Sequence, residues 1–358
     1  MIHTGGNTLE PHPSPSNVPT TEEHIPLSPK PFRKSRHFGA FLICCALFVA
    51  GFALTALWSD PGGKQWKDET DRSDPGVENP ITDPIIPELP PQRPLQEPIP
   101  DGATPIATYD LSHLGQGIGY LNNQTSYKPN TNALLQTDVT ASPTREPLVL
   151  VLHTHTSEGY LTENATYLEG DLGEITYTCE SERNVLAVGE VFVKTLKENG
   201  IAAIHCRVMH DESGLSGSYE RAAQSIRFFR EQYPSIRYVV DIHRDAILTV
   251  EGDYVRAVTE IDGKSVAQIL PVVGSDAGGW KHDAWEGNLA LALQMREELN
   301  KNDTALCRPV ILREATYNQE MAPFAILLEI GTGANTIDEA IAAATLAGRA
   351  FAKVILSH

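Results

Sequence analysis

The 358-residue sequence is short of positive charge. Lys and Arg number 28 against 46 Asp and Glu, for a formal net charge of −18. That balance argues against nucleic acid as a partner, because phosphate binding needs clustered Lys and Arg. Cysteine is also scarce, with five in the chain. Cys44 and Cys45 fall in an apolar run, which leaves Cys179, Cys206 and Cys307, an odd number at no metal-ligand spacing. They read as small buried hydrophobes rather than a disulfide framework. The glycine-rich stretch Gly274-Ser-Asp-Ala-Gly278-Gly279-Trp280 lacks the Gly-Lys-Ser/Thr order of a phosphate-binding loop, so nucleotide binding is unsupported. There is no His-Glu-x-x-His helix and no Gly-x-Ser-x-Gly elbow, which removes those two hydrolase classes.

The residues that are present divide the chain. Residues 1–37 are polar, open with a stretch rich in Pro, Ser and Thr, and read as a disordered cytoplasmic tail. Phe38 to Trp58 is 21 residues without a charge. At about 1.5 Å per residue, a helix of that length spans the ~30 Å hydrocarbon core. Arg33, Lys34 and Arg36 flank it on one side and Asp60 on the other. The positive-inside rule then puts the N-terminus in the cytoplasm and residues 59–358 outside a single-pass cell membrane anchor. Residues 59–105 form a linker, with ten prolines from Pro75 to Pro105. Such a stretch favours extended polyproline conformations that hold the C-terminal domain away from the membrane.

From Ile106 the composition becomes globular. Residues 106–145 read as an N-terminal extension, and 146–358 as one domain in which apolar strands alternate with helical patterns. Strands are expected at 148–153, 201–208, 237–243, 310–316 and 324–330. Helices are expected at 182–197, 218–233, 286–300 and 336–355. Asp253 to Val273 reads as two strands joined at Asp262-Gly263, a hairpin turn. The segment 156–181 reads as a polar loop. The expected fold class is α/β, a mostly parallel sheet with helices on both faces.

Three strands deliver chemistry to one sheet edge, where ligands and catalysts sit in such folds. Leu148-Val-Leu-Val-Leu runs into His153-Thr-His155-Thr-Ser-Glu158. Tyr238-Val-Val-Asp-Ile ends in His243-Arg244-Asp245, and Ala325-Ile-Leu-Leu carries Glu329. A catalytic zinc site takes three protein ligands of imidazole and carboxylate type and leaves one position for water. His155 and His243 fit two of them, and the third is Glu158 or Glu182. Glu329, in an apolar run, suits a general base; a buried salt bridge to Arg244 or Arg313 is the other reading. Arg244 and Asp245 either steady a developing oxyanion or form an ordinary ion pair.

At these residues the chain resembles the stage II sporulation protein P family. The segments that carry the resemblance are Leu152-His153-Thr-His155-Thr-Ser-Glu158-Gly-Tyr160, Arg183-Asn184-Val185, Asp241-Ile-His243-Arg244-Asp245-Ala246, Val273-Gly274-Ser275-Asp276, Asn288-Leu289-Ala290-Leu291-Ala292 and Leu328-Glu329-Ile-Gly331. That family is similar to the zinc-dependent N-acetylmuramoyl-L-alanine amidases. The resemblance implies Zn2+ held by His155, Glu182 and His243, with Glu329 as the catalytic acid/base; beside it, His153, Glu158, Arg244 and Asp245 stand as further candidates from the residues themselves. It implies hydrolysis of the bond joining stem peptide to glycan in peptidoglycan, with an added endopeptidase activity. It also implies partnership with the stage II sporulation proteins D and M in septal wall removal during engulfment. A non-catalytic wall-binding or scaffold module, and a zinc peptidase acting on cross-link peptides, are the alternatives.

Overall fold

The structure is a computed structural model that describes residues 99–358 apart from 114–119, 302–303 and 357–358. The expected tail (1–37), the expected membrane helix (38–58) and the linker up to residue 98 lie outside the described residues. No helix among the described residues is long and apolar enough to cross a membrane.

In chain order the elements are β1 (Ala103–Tyr109), β2 (Leu121–Asn123), α1 (Thr131–Leu134), β3 (Val149–Leu152), β4 (Tyr167–Glu169), α2 (Leu172–Thr176), α3 (Val185–Glu198), β5 (Ala203–His205), α4 (Ser218–Gln232), β6 (Tyr238–Asp245), β7 (Tyr254–Ile261), β8 (Lys264–Ala267), β9 (Ile269–Gly274), α5 (Trp285–Leu299), β10 (Val310–Arg313), β11 (Phe324–Thr332) and α6 (Ile337–Leu356). The main sheet has seven strands in the order β2-β10-β9-β11-β6-β3-β5. Its neighbours run parallel except β9 and β11, which pair antiparallel. A second, four-stranded sheet has the order β4-β1-β7-β8.

Burial on both faces explains the apolar runs. All four residues of β3 and all eight of β6 are buried, as expected for interior strands of a covered sheet. On one face Val149, Val151, Val240, Ile242, Ile326 and Leu328 join α3, α5 and α6 in a single core. On the other, Leu150, Leu152 and Val239 pack with Ala222 and Ile226 of α4. The fold is therefore α/β, with mixed sheets and helices on both faces of the larger one.

Local signals set the boundaries. Helix α3 begins at Val185 because the Asn184 side chain accepts from Leu186 N–H, and Gly200 follows its end at φ +82°. Helix α4 ends at Gln232, just ahead of Pro234, which cannot continue a helix. Asp262 (φ 52°) and Gly263 (φ 73°) turn β7 into β8.

Three expectations need correction. The stretch 253–273 holds three strands, not two. Gln268 breaks the run: its buried side chain accepts from Leu111 N–H and donates to Asp110 Oδ1 and the Ala305 carbonyl. Before the break β8 stays in the small sheet, and beyond it β9 joins the large one. The strand expected over 201–208 is only β5, and the chain then turns away to bring His210 and Asp211 beneath the 153–158 loop. The segment 156–181 is not a plain loop, for it holds β4 and α2.

Candidate active site

Strands β3, β6 and β11 are mutually parallel, so their carboxyl ends share one edge. Side chains alternate across a strand. In β6, Val240 and Ile242 point into the α3 core, which leaves Asp241, His243 and Asp245 on the α4 face. In β11, Glu329 lies on that face with Ala325 and Leu327. Glu329 is the register partner of His243, and Leu327 of Asp241. Just beyond Glu329 the β11–β6 pairing shifts before resuming at Thr332–Asp245. Gly331 sits in that irregularity at φ +73°, and a Cβ there would stand 2.9 Å from the Ala267 Cβ. A glycine is needed at such a position.

The loop after β3 is pinned by its small polar residues. Thr154 donates from its N–H (2.9 Å) and hydroxyl (2.6 Å) to the two oxygens of Asp241. Ser157 donates from its N–H (3.0 Å) and hydroxyl (2.5 Å) to Asp211. The Thr156 hydroxyl donates to the His153 carbonyl and accepts the N–H of His210. With Thr154, Thr156 and Ser157 committed to the scaffold, His155 and Glu158 are left to face His243.

The cluster itself is tight. The His155 and His243 rings are 5.3 Å apart at 80°. His243 Nδ1 is 3.2 Å from Glu158 Oε2, and its Nε2 is 3.1 Å from Asp241 Oδ1. That second contact lies off the line of the N–H, so Nε2 is buried with no hydrogen-bond partner among the described residues. Glu158 Oε2 accepts the backbone N–H of Arg244 at 3.1 Å. His155 Nδ1 is 3.3 Å from the Ser218 hydroxyl, and the Tyr219 ring stands edge-on to His155 at 5.6 Å. Glu158, Asp241, His243 and Glu329 are all buried.

Burial alone pushes the His243 imidazole down, but the flanking Asp241 and Glu158 carboxylates reverse this and hold it well above its ordinary range. Burial pushes Glu158 up, and His243, His155 and Arg244 outweigh it to leave the carboxyl below its usual value. Asp241 is held at about 2; burial opposes this, while His243 and the Thr154 hydrogen bonds win. Burial lowers His155, with Glu158 only partly offsetting it.

The remaining predicted residues fall elsewhere. His153 is fully buried on the opposite face. Its Nδ1 donates to the Ile242 carbonyl at 2.9 Å, and its Nε2 is 2.9 Å from His205 Nε2 under α3. Burial takes its imidazole down to about 4, so it is a neutral core histidine. Glu182, expected in the first turn of a helix, precedes the Asn184 cap and is exposed, accepting from the Ser181 hydroxyl. The structure does not bring it to the cluster. The Arg244 guanidinium turns away to the Gly159 carbonyl, the Thr176 hydroxyl and the Tyr177 ring. Asp245 pairs with Arg308. Two residues that sequence reasoning passed over belong to the site, Asp241 and Tyr219. Asp241 was visible in the sequence, since a carboxylate two positions before a strand histidine shares its face.

The donor set suits a divalent ion of the zinc type. His155, His243 and Glu158 are the residues that could hold such an ion, with Asp241 behind His243. As they stand, no three His, Cys, Asp or Glu side chains among the described residues are gathered at ligand spacing.

Comparison with known proteins places the chain. The family model described as stage II sporulation protein P matches residues 115–354. Stage II sporulation protein P of Bacillus subtilis (strain 168) is 26% identical over 218 residues, covering 58% of this chain and 51% of the relative. The matched region thus spans about half the length of that curated relative. Among solved structures, N-acetylmuramoyl-L-alanine amidase AmiC2 of Nostoc punctiforme is similar at 17% identity and a TM-score of 0.32, covering 58% of this chain and 94% of that one. The apo form of the amidase Ami1 from Mycobacterium abscessus is similar at 14% identity and a TM-score of 0.34, covering 58% and 97%. The CwlD amidase from Clostridioides difficile, in complex with the GerS lipoprotein, is similar at 14% identity and a TM-score of 0.33, covering 57% and 94%.

Proposed function

From the premise that the chain belongs to the stage II sporulation protein P family, we propose that it is a peptidoglycan hydrolase of sporulation. It cleaves the amide between the glycan lactyl group and the first alanine of the stem peptide, with endopeptidase cleavage as a second activity. One observation carries the reading: Glu329 lies in register with His243, which meets Glu158 and His155 at one strand-end edge.

In this proposal His155, Glu158 and His243 would hold a zinc ion, which would supply polarisation of the scissile carbonyl and acidification of water. The chain's own residues do the rest. The Arg244 N–H and α3's start orient Glu158, whose carbonyl accepts Val185 N–H. Asp241, fixed by Thr154, sits behind His243. Glu329 takes a proton from the attacking water and passes it to the leaving nitrogen. The proposal includes anchoring through residues 38–58, an extracytoplasmic catalytic domain, and action with the stage II sporulation proteins D and M.

The test is product analysis on purified muropeptides. Wild type should release stem peptides with a free alanine amino terminus. Glu329→Gln should keep binding and lose about 10²–10⁴-fold in rate. Turnover retained in Glu329→Gln removes Glu329 as the base. Wall binding without any wild-type cleavage, with zinc present, would leave a scaffold module instead.

A further inference from the structure

We infer that Tyr219 is a further catalytic residue: its phenol hydroxyl donates a hydrogen bond to the carbonyl oxygen of the scissile amide. This rests on the hydrolase reading above. Tyr219 is the second residue of α4, preceded by Gly217 in the left-handed region at φ 73°. That entry sets the first turn of α4 beside the strand-end edge. The Tyr219 ring stands edge-on to His155 at 5.6 Å and 88°. Its other side meets Tyr317 at 6.1 Å. The backbone is fixed as well, since Asn318 Nδ2 donates to the Tyr219 carbonyl at 2.8 Å. Tyr317 and Asn318 both hold positive φ, 55° and 58°. Two successive non-glycine residues there are uncommon, and such strain gathers at functional sites.

The ring is thus flanked by His155 and Tyr317 over a pinned backbone, while its hydroxyl is buried with no hydrogen-bond partner among the described residues. A buried hydroxyl without a partner costs stability. Three other donors near the cluster are committed. The Arg244 guanidinium serves Gly159 and Thr176, Arg308 serves Asp245, and the Ser218 hydroxyl donates to the Leu215 carbonyl. A phenol, with an ordinary pKa near 10, is a protonated donor at neutral pH. A rigid donor of this kind, beside His155 at the strand-end edge, is of the type that stabilises charge developing on a carbonyl oxygen.

The step balances. Water oxygen bonds to the amide carbon while one water proton passes to Glu329. The carbonyl π pair moves onto oxygen, which the Tyr219 O–H hydrogen-bonds while keeping its own proton. Collapse breaks the C–N bond, and the nitrogen leaves with the proton from Glu329. Nothing is oxidised or reduced.

The test compares the wild-type chain, Tyr219→Phe and Glu329→Gln on muropeptides, with kcat and KM measured separately beside zinc content and thermal unfolding. Tyr219→Phe keeps the ring and its packing. The expected result is a kcat about 100-fold lower, with KM and zinc content unchanged and an unfolding temperature no lower than that of wild type. A kcat within threefold of wild type, or a loss confined to KM or zinc content, overturns the inference while leaving the hydrolase reading intact. Absence of wild-type turnover overturns that reading and this inference with it.

Discussion

Gly189 offers a sharp test of where His153 belongs. It lies inside α3, where Gly→Ala in a helix interior ordinarily gains about 0.5–1 kcal/mol. Here a Cβ would stand 2.5 Å from His153 Nε2, 2.6 Å from its Cε1 and 2.8 Å from His205 Nε2. All three are ring atoms, and the rings are held, His153 by the Ile242 carbonyl and each by the other. Relieving the clash means pushing α3 off the sheet or turning an imidazole, at about 1–3 kcal/mol for overpacking. Turning the ring also breaks the imidazole–imidazole hydrogen bond, worth about 1 kcal/mol. Set against the helix gain, Gly189→Ala should destabilise by about 2 kcal/mol. Urea titration should show a lower midpoint with an unchanged slope, and the unfolding temperature should fall by about 4–8 °C for a domain of this size. Zinc content of the folded fraction should be unchanged. A variant as stable as wild type, or a folded one that loses zinc, would refute the assignment of His153 to the core.

Two further outcomes concern buried polar groups. Asp241→Asn removes the charge that accepts both Thr154 hydrogen bonds, so it should cost about 1–3 kcal/mol in denaturant titration and weaken zinc about 10–100-fold in competition with a chelator; unaltered affinity would separate Asp241 from the metal. His282 is fully buried, and burial lowers its pKa to about 4 from 6.5. Between those pH values the unfolded chain binds the extra proton, so this group's contribution is complete above about pH 6.5 and is lost as pH falls toward 4. Discounted for solvent screening, that amounts to about 1–2 kcal/mol. His282→Gln should flatten the stability–pH curve over that window, and an unchanged curve would contradict the assignment.

The parts of the fold written locally were legible. Apolar runs bounded by Pro, Gly and charged residues marked β3, β6 and β11, and Asp262-Gly263 marked the β7–β8 turn. Non-local pairing was not legible. β1 pairs with β7 roughly 150 residues away, and nothing in either strand names its partner, so the second sheet went unseen. The same limit governed the site. That His155 and His243 lie at one edge follows from strands ending in histidine, but the register of Glu329 beside His243 exists only once β11 is placed. Strand parity already hinted at the fate of His153, because Leu150 and Leu152 share the α4 face and the next residue falls on the other. For Glu182 the decisive residue was Asn184. Reading it as the cap moves the helix start to Val185 and leaves Glu182 outside, whereas the sequence pattern alone ran the helix back to 182.

The most direct test of the site is zinc content of the purified chain, offered zinc without chelator, beside His155→Ala, His243→Ala, Glu158→Gln and Glu182→Gln. One zinc per wild-type chain is expected, kept in Glu182→Gln and lost in the other three while they remain folded. Zinc lost in Glu182→Gln but kept in Glu158→Gln would contradict the ligand set, and a folded wild type that binds no zinc would contradict the metal site altogether.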